Sequence, residues 1–484
     1  MKNILFITAD QLRYDTLGFQ GVFPVKTPNI DRLARRGTVF DNAYCANPLC
    51  VPARASIMTG KYSYDTGVYY NGGEWDEALK TIPGELAANG YYTVAAGKMH
   101  FLPKAAHRGF HKRMADPGLH YKDYLRRKGY LDQLQSEFKP AGDGTPHCDE
   151  IIEWVYSKPP TQLRREDFIT PYIASEAIHE LDLISRRREC LPGGNEPFFM
   201  WLSFTKPHQP SDPPEPYYSM YDPDEIPGPV RGEHEPEQFP RQLKRFRRNW
   251  DILDDDLVRK NRARYLGNVT LLDEEIGRVL DKLDALGLGE NTLIILSADH
   301  GDHLGDHHLQ QKGFYFEPSV KVPLIFCGPG IPAGVRIQEN VSHIDLLPTV
   351  LDYCQLTQPL HRDPAGDIIY RYADFGDARS LMPAFHDGRS LDAHRIVLAE
   401  AGIHGLHIML KRGNEKINYY HDTGEIERYY LDKDPDELNN TGQGVTLDDL
   451  PEDVRCRLRD VLHRIKPYES GYYWCGGRVR PMFT

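Results

Sequence analysis

Residues 4–11, ILFITADQ, join a run of apolar side chains directly to a polar pair, and this transition indicates how the chain is organised. A short apolar run without alternation is typical of a strand with both faces buried. The run is too short to be the core of a signal peptide or to span a membrane. We therefore predict that Asn3–Thr8 is the first strand of an interior sheet, with Asp10 and Gln11 at its carboxyl end.

The same patterns recur along the chain. Further apolar runs predict core strands at Tyr92–Ala96, Pro197–Phe204, Thr292–Ala298 and Val320–Phe326. Amphipathic or capped segments predict helices at Thr27–Gly37, Pro52–Gly60, Ile82–Asn89 and Tyr265–Leu286. Strands that alternate with helices favour parallel pairing through crossover connections. The predicted fold class is therefore α/β, with a large mainly parallel sheet sandwiched by helices.

The pattern changes after about residue 385. Short alternating runs that are typical of antiparallel strands occur at Arg395–Glu400, Gly405–Arg412 and Glu415–His421. Pro451–Ile465 has a helical pattern. We predict an α/β domain over residues 1–385 and a smaller C-terminal α+β subdomain with an antiparallel sheet over residues 386–484.

Two long segments fit neither pattern. Residues 105–190 mix helical stretches with turns and are predicted to cross the edge of the large sheet. Gln209–Arg248 carries many prolines and charges and is predicted to be a long surface loop. Both segments are long enough to shape a pocket above the sheet.

The overall composition narrows the expected partners. The 484 residues carry a formal net charge of −12, and the pI is about 5.9. An acidic chain binds nucleic acid and anionic membranes poorly, so neither is expected as a partner. The eight cysteines include no CxxC pair, which argues against structural zinc. With no signal peptide expected, we predict a cytoplasmic protein with reduced thiols. Self-association into a homo-oligomer stays open.

Two polar pairs follow two of the predicted strands. Asp10 and Gln11 come after the first strand, and Asp299 and His300 come after Thr292–Ala298. Ligands of open α/β sheets bind at the carboxyl ends of the strands, so these pairs can converge on one cation. Three oxygen donors and one imidazole suit Ca²⁺, Mg²⁺ or Mn²⁺. The alternative for each residue alone is an ordinary turn former.

Cys50 lies in the run PLCVPARAS, residues 48–56, just before the predicted helix at Pro52. A helix N-terminus offers free N–H groups and a favourable dipole, which suit an anion and lower the pKa of a thiol. Arg54, one turn on, can brace this nucleophile or contact the metal ligands. The alternative is a buried structural cysteine, which is the commoner fate of a lone cysteine.

Cationic side chains also follow predicted strands. Lys98 and His100 come after Tyr92–Ala96, and in an extended chain they would project to the same side. His208 comes after Pro197–Phe204, and Lys312 follows the histidine-rich loop at residues 301–311. Together they could hold the oxygens of an anion. Taken singly, each is more often a surface charge or a turn residue.

These motifs together resemble the sulfatase family of the alkaline phosphatase superfamily, near the arylsulfatase, choline sulfatase and phosphonate monoester hydrolase branch. The similarity rests on motifs that occur in the family order: DQ at 10–11, CVPAR at 50–54, GKMH at 97–100, KPH at 206–208, DHGD at 299–302 and Lys312. A C-terminal run at residues 430–440 resembles the segment that closes the family's smaller domain. The resemblance covers nearly the whole chain.

The resemblance implies a role for each motif. Asp10, Gln11, Asp299 and His300 would bind one divalent cation. Cys50 would be oxidised to formylglycine by a formylglycine-generating enzyme that reads Pro52 and Arg54. Lys98, His100, His208 and Lys312 would hold the sulfate and assist the leaving group. Ca²⁺ is the usual ion of the family, with Mn²⁺ and Mg²⁺ as alternatives.

The reaction implied is hydrolysis of a sulfate ester to an alcohol and inorganic sulfate. One hydroxyl of the hydrated aldehyde at residue 50 would attack sulfur, and the second would later expel sulfate. Lys98, Lys312 and the cation would stabilise the sulfuryl oxygens. His208 is the first candidate for general acid and His100 the second. The expected substrate is a sulfated sugar or a small aryl or alkyl sulfate.

Two other functions are weighed against this hypothesis. A phosphonate monoester or phosphodiester hydrolase would share the nucleophile, but those relatives tend to have tyrosine and threonine where this chain has Lys98 and His100. A non-catalytic protein that binds sulfated ligands would leave Cys50 silent. The chain also departs from the family pattern at Ala53, where many members have serine, and at Gln11 and His300, which replace an acid and an amide common in arylsulfatases.

Overall fold

A computed structural model describes most of the chain. The described residues are 2–103, 106–130, 158–190, 195–232, 235–247, 254–356, 359–362, 368–370, 376–386, 391–402, 405–465, 472–475 and 478–481. Parts of the predicted excursion at residues 105–190, and the end of the predicted C-terminal subdomain, lie outside the described residues.

Strands in the described part of the chain form one large sheet, one four-stranded sheet and two hairpin pairs. In chain order the strands are β1 Asn3–Ala9, β2 Thr38–Tyr44, β3 Tyr92–Gly97, β4 Lys112–Met114, β5 Phe198–Phe204, β6 Thr292–Ala298, β7 Lys321–Val322, β8 Leu324–Cys327, β9 Val335–Ser342, β10 Pro359–Arg362, β11 Ile368–Tyr370, β12 Ile396–Ala401, β13 His407–Arg412, β14 Glu415–Tyr420, β15 Glu425–Tyr430, β16 Tyr472–Cys475 and β17 Arg478–Pro481.

The α-helices of the described residues vary in length from 4 to 31 residues. In chain order they are α1 Pro28–Arg36, α2 Cys50–Thr59, α3 Ser63–Thr66, α4 Ile82–Ala88, α5 Lys122–Arg127, α6 Ile169–Cys190, α7 Glu235–Gln238, α8 Arg241–Arg247, α9 Asp255–Ala285, α10 Glu317–Val320, α11 Leu346–Tyr353, α12 Met382–Phe385 and α13 Glu452–Arg464. None of these helices is long and apolar enough to cross a membrane.

The large sheet has the order β4-β3-β5-β1-β6-β8-β2-β7, and β9 pairs with β2. Its centre is parallel, because β1 pairs in parallel with both β5 and β6, and β3 pairs in parallel with β5. Helices α1, α6 and α9 pack together in one layer, and α2, α4 and α11 pack together in another. The predicted α/β fold with a mainly parallel sheet between helices is confirmed.

Register places the carboxyl ends of the central strands at one level. Ala9 is opposite both Phe204 and Ala298, and Gly97 is opposite Ser203. The residues that follow four neighbouring strands therefore emerge side by side at one edge of the sheet. This edge is where ligands bind in sheets of this class.

The far side of the sheet is mixed, since β9 pairs in parallel with β2 whereas β7 and β8 pair antiparallel with their neighbours. The predicted strand Val320–Phe326 lies here and was wrong in detail. Val320 ends the helical turn α10, and the remainder is split into β7 and β8. Pro323 lies between them, and its missing N–H interrupts a ladder. Strand β8 runs antiparallel to β6 and β2.

Helix α9 begins ten residues before the predicted start at Tyr265. The side chain of Asp254 caps it by accepting a hydrogen bond from the Leu257 N–H at 2.7 Å. Its first turns bury Arg262, which forms an ion pair with Asp306 at 2.5 Å. A sequence pattern assigns a polar residue such as Arg262 to the solvent-exposed face even when an ion pair buries it. The hydrophobic stripe therefore predicts a start at Tyr265, later than the true start of the helix.

The segment Gln209–Arg248 is not only the predicted surface loop. It contains the short helices α7 and α8, and residues such as Asp212 and Tyr217 are buried. Lys206, just before the segment, forms an ion pair with Asp212 at 2.7 Å. Buried ion pairs of this kind again account for the polar appearance of the sequence.

The four-stranded sheet is antiparallel in the order β12-β13-β14-β15, as predicted for the C-terminal part of the chain. Helix α13 buries Val454, Leu458 and Val461 in the same apolar cluster as this sheet. The boundary between residues 385 and 386 stays a prediction.

The four-stranded sheet contacts the large domain close to the carboxyl edge. The Glu400 N–H donates to the Ala46 carbonyl at 3.0 Å. The His407 ring stacks on Phe314, with ring centroids 5.0 Å apart and planes 4° from parallel. The Tyr315 hydroxyl donates to the His407 carbonyl. These contacts come two and three residues after Lys312 and fix that part of the loop against β13.

A buried ion pair links the β12 side of the four-stranded sheet to α11, and its loss is expected to destabilise the fold. Arg395 donates two hydrogen bonds to the Asp345 carboxylate, at 2.6 and 2.7 Å. Arg395→Leu would leave that carboxylate buried without its charge partner, so we expect a loss of about 3–5 kcal/mol in the free energy of unfolding. Chemical denaturation measures it.

A matched control uses the exposed pair Arg379–Asp392, whose side chains are 54% and 40% exposed. Arg379→Leu should cost about 1 kcal/mol or less because solvent screens the pair. Equal losses in the two variants would contradict the assignment of Arg395 as a structural anchor.

Candidate active site

Asp10 and Asp299 form the centre of the site, each directly after a central strand and fully buried. Arg54 lies between them. Its Nε donates to Asp299 Oδ2 at 3.0 Å, and its Nη2 lies 3.4 Å from Asp10 Oδ2. The guanidinium therefore contacts both predicted metal ligands, which was one of its two predicted roles.

The turn at Gln11 is held by a hydroxyl from α9. The Tyr265 hydroxyl donates to the Gln11 carbonyl at 2.6 Å and accepts the Arg13 N–H at 2.9 Å. The Gln11 N–H donates to Asp299 Oδ1 at 3.0 Å. Gln11 has a positive φ of 65°, a conformation that a non-glycine residue adopts only when its surroundings fix it. The turn that presents Asp10 is thus tied to both β6 and α9.

Cys50 is the first residue of α2, whereas the sequence predicted a start at Pro52. Proline is tolerated there because the N–H groups of the first turn have no partner within the helix. The Val51 N–H is not free, because it donates to Asn71 Oδ1 at 3.0 Å. The helix thus presents the thiol at its positive end, and Asn71 fixes the first turn.

The thiol of Cys50 lies beside two of the predicted metal ligands. Its sulfur lies 3.2 Å from His300 Nε2 and 3.8 Å from Asp10 Oδ1. Burial disfavours the thiolate, but the charges of Lys312, Lys98 and His300 outweigh it, so the pKa of Cys50 is held well below its usual value.

One atom each from Asp10, Cys50, Asp299 and His300 lies within 4.8 Å of the others, and all four residues are buried. The Nδ1 of His300 lies 2.9 Å from the Gly301 carbonyl, which leaves Nε2 toward the cluster. Two carboxylates and an imidazole nitrogen are a fitting donor set for a divalent cation, and the oxygen donors favour Ca²⁺, Mg²⁺ or Mn²⁺.

The side-chain amide of Gln11 is hydrogen-bonded through both its oxygen and its nitrogen. Its side-chain oxygen accepts a hydrogen bond from Lys312, and its amide nitrogen donates to Gln209 Oε1 at 2.7 Å and to Asp302. As the structure stands, the amide connects Lys312 to the loop after β5. Its predicted role as a metal ligand stays a prediction.

Lys98 and His100 follow β3 through a glycine turn. Gly97 has a φ of 94°, and a Cβ there would lie 2.0 Å from the Ser203 carbonyl oxygen, so no side chain fits. The Lys98 ammonium forms an ion pair with Asp10. His100 is among the groups that lower the pKa of the Cys50 thiol. The predicted extended geometry was wrong, because His100 has a φ of 58°, yet both side chains reach the same cluster.

Lys312 and His208 complete the cationic side of the site. Lys312 Nζ lies 3.0 Å from His208 Nε2, and His208 Nδ1 lies 2.8 Å from the Gln209 carbonyl. Burial and the neighbouring Lys312 charge lower the pKa of His208 to about 4. The structure therefore places all ten predicted site residues around one buried centre.

Sequence reasoning missed the residues that support this centre. Gln209, Asp302 and Ser203 each contact a predicted site residue, and Asn71 contacts Val51, the neighbour of Cys50. Ser203 accepts a hydrogen bond from Arg54 Nη1 at 2.8 Å. Asp302 is the last residue of the quoted motif DHGD, and Gln209 directly follows the motif KPH, so both could have been included on that ground. Asn71 lies in an irregular loop with no pattern, so no sequence signal was available.

Comparisons with known proteins agree with this geometry. A family model described as Sulfatase matches residues 2–356. The chain belongs to the sulfatase family. The sulfatase is 29% identical to an arylsulfatase from Clostridium perfringens, over 97% of this chain and 95% of that protein. It is 28% identical to a choline-sulfatase from Rhizobium meliloti, over 91% of this chain and 82% of that protein.

A solved phosphonate monoester hydrolase from Silicibacter pomeroyi has the same fold as this sulfatase. The TM-score is 0.79 over the full length of both chains, at 24% sequence identity. The predicted family and branch are confirmed, and the protein is a sulfuric ester hydrolase. The alternative of a non-catalytic binding protein is therefore set aside.

Proposed function

We propose that this sulfatase hydrolyses the sulfate ester of a sugar or of a small aryl or alkyl alcohol, with a formylglycine made from Cys50 and one divalent cation. The observation that supports this most is the convergence of Cys50 with Asp10, Asp299 and His300 in one buried cluster. A cysteine that serves only packing is expected among apolar side chains, whereas Cys50 lies in a buried cluster with two carboxylates and is influenced by two lysines.

The cation and the oxidised residue 50 would have distinct tasks. A divalent cation held by Asp10, Asp299 and His300, with Gln11 as the proposed fourth ligand, would act as a Lewis acid toward the oxygens at the centre. Ca²⁺ is proposed first, with Mn²⁺ and Mg²⁺ as alternatives. An oxidised residue 50 would supply an oxygen nucleophile with a second hydroxyl on the same carbon.

The lysines bind and orient the sulfate group. Lys98 reaches Asp10 and Lys312 reaches His208, and the charges of both ammonium groups lower the pKa of the Cys50 thiol. In the complex we expect both to turn toward the sulfuryl oxygens, where the developing charge is largest. Arg54 stays on Asp10 and Asp299 and holds the two carboxylates in place.

His208 is the proposed proton donor to the leaving alcohol, and His100 is the second candidate. The Nε2 of His208 is directed into the site because Nδ1 is held at the Gln209 carbonyl. A bound anion offsets the Lys312 charge and so raises the pKa of His208 from its low value in the free site. Proton donation by such a group contributes about 10²–10⁴-fold to the rate.

Cys50 is 1% exposed. A formylglycine-generating enzyme must therefore reach the thiol before α2 is packed, so we propose that it acts on the unfolded chain.

The cytoplasmic location and self-association expected from the sequence stay predictions.

The rival activity is hydrolysis of a phosphonate monoester or phosphodiester, and substrate preference tests it. With an aryl sulfate and an aryl phosphonate of the same leaving group, we expect kcat/KM to be at least about tenfold higher for the sulfate. That is about 1.4 kcal/mol of preferential transition-state stabilisation. A clear preference for the phosphonate would overturn the proposal. Release of inorganic sulfate identifies the product.

A double variant provides the control for this comparison. Lys98→Tyr with His100→Thr introduces the residue types of the phosphonate relatives at the position that pairs with Asp10 and at a position that lowers the pKa of Cys50. We expect the ratio of sulfate to phosphonate turnover to fall in this variant. An unchanged ratio would show that these side chains do not set the preference.

A further inference from the structure

Lys206 is a buried lysine that neither the cation site nor the sulfate-binding groups use. It follows β5, and only 4% of its surface is exposed. Burying an ammonium group costs free energy unless its hydrogen bonds are met. The partners of this ammonium therefore indicate what its burial achieves.

The ammonium closes the loop that carries His208. Its Nζ donates to the Pro210 carbonyl at 2.6 Å and to Asp212 Oδ1 at 2.7 Å. Both partners come after His208 in the chain, whereas Lys206 comes before it. The side chain thus ties the two ends of the loop together beneath its tip.

The partner carboxylate is itself anchored. Asp212 is fully buried and forms a second ion pair with Lys158 at 2.6 Å. The Asp212 carbonyl accepts the Thr161 N–H at 3.3 Å. Lys206 also lies over the Phe168 ring, 5.5 Å from its centroid. The loop is therefore fastened to a part of the protein that lies outside the catalytic cluster.

The tip of the loop lies against the catalytic residues. The His208 N–H donates to the Asp10 carbonyl at 3.1 Å, and Gln209 Oε1 accepts from Gln11 at 2.7 Å. Since His208 Nδ1 is held by the carbonyl of Gln209, the orientation of its ring depends on the backbone of this loop. Anything that loosens the loop moves Nε2.

We propose that Lys206 is a positioning residue for His208 as proton donor, an inference that rests on the proposed function. As the oxygen on residue 50 bonds to sulfur and the S–O bond of the ester breaks, the electron pair of that bond stays on the leaving oxygen. That oxygen takes the Nε2 proton of a His208 ring that is doubly protonated in the substrate complex, and the ring is left neutral with its remaining proton on Nδ1, at the Gln209 carbonyl. Lys206 keeps Nε2 where this transfer is possible. It does not touch the substrate.

The test compares two sulfate esters in Lys206→Met, which removes the ammonium and keeps the apolar stem. An alkyl or sugar sulfate needs a proton on its leaving oxygen, whereas an activated aryl sulfate such as 4-nitrophenyl sulfate leaves readily without one. We expect kcat/KM to fall by about 10²-fold or more for the alkyl sulfate, in the range of general acid catalysis. For the aryl sulfate, kcat/KM should change little.

Two further variants separate this proposal from the proposed function. His208→Ala should show the same dependence on the leaving group, and the double variant should be no slower on the alkyl sulfate than His208→Ala alone. If His208→Ala lowers kcat/KM equally for the alkyl and the aryl sulfate, the assignment of His208 as the acid is wrong. If His208→Ala affects the alkyl sulfate more but Lys206→Met lowers kcat/KM equally for both esters, only the positioning role of Lys206 is wrong.

Lys416→Met is the matched control, since Lys416 is a fully buried lysine with two carboxylate partners, Glu317 at 3.0 Å and Glu437 at 2.7 Å. It should lower kcat/KM for both esters in equal proportion.

If Lys206→Met fails to fold, Asp212→Asn serves as the second variant, because it weakens the same ion pair. It should again lower kcat/KM more for the alkyl sulfate than for the aryl sulfate, by a smaller factor. A crystal structure of either variant should show a displaced His208 ring; an unmoved ring would overturn the proposal.

Discussion

Cys50→Ala is expected to lower kcat/KM for an aryl sulfate by about 10³-fold or more, because removing a nucleophile abolishes the step that all later steps need. The fold should survive, since alanine suits a helix and the replaced side chain is small. The measurement is turnover together with the melting temperature. A variant that stays folded and fully active would overturn the nucleophilic role of residue 50.

Cys50→Ser sharpens this test. A serine oxygen at this place can attack sulfur but has no second hydroxyl to expel sulfate, so one sulfuryl group should stay on residue 50 after a single turnover. Mass spectrometry of the peptide that contains residue 50 detects this group.

The same peptide from the unchanged chain tests the modification. It should carry an aldehyde when the protein is made with a formylglycine-generating enzyme and none when it is made without that enzyme. A free thiol in fully active protein would refute the proposed modification.

Asp299→Asn is expected to remove the cation and with it the activity. Asp299 Oδ1 accepts the N–H groups of Gln11 and His300, both at 3.0 Å, and Oδ2 faces Arg54. An amide carries no charge to balance the guanidinium or the cation. Metal affinity should fall by more than the about 10–100-fold that is typical of changes beside a ligand. Elemental analysis of the purified protein reads this out independently of turnover.

The control is Asp15→Asn, another buried carboxylate that pairs with an arginine close to the site. Asp15 lies 2.6 Å from Arg13, which keeps its second partner Asp306 at 2.6 Å. This variant should lose stability and keep its metal content. Equal loss of metal from both variants would indicate that Asp299 acts on the fold and not as a ligand.

Much of the site could be predicted because it follows from sheet register. Parallel strands end at one level, so Asp10 and Asp299 had to be neighbours once their strands were recognised. The same argument placed Lys98 and His208 near them. The order of the motifs along the chain then sufficed for the family, which the family model confirmed.

What the sequence did not predict depends on contacts between distant polar residues. The early turns of α9 and the loop after Lys206 contain buried charges that find partners far along the chain, as in Arg262–Asp306. Pattern analysis counts such residues as exposed. The positive φ of His100 is likewise set by its surroundings and not by its residue type.

The contact between β13 and the loop after Lys312 bears on where the chain can be cut. The family model ends at residue 356, and every residue proposed here as ligand, nucleophile or anion-binding group precedes that point. Yet His407, which stacks on Phe314 and accepts from Tyr315, comes 51 residues after it. A shortened protein that ends at residue 356 would keep every one of these proposed residues but would lose the contacts that hold Phe314 and Tyr315, just after Lys312, against β13. Expression designs and gene fusions should therefore treat the four-stranded sheet as part of the enzyme's minimal functional unit.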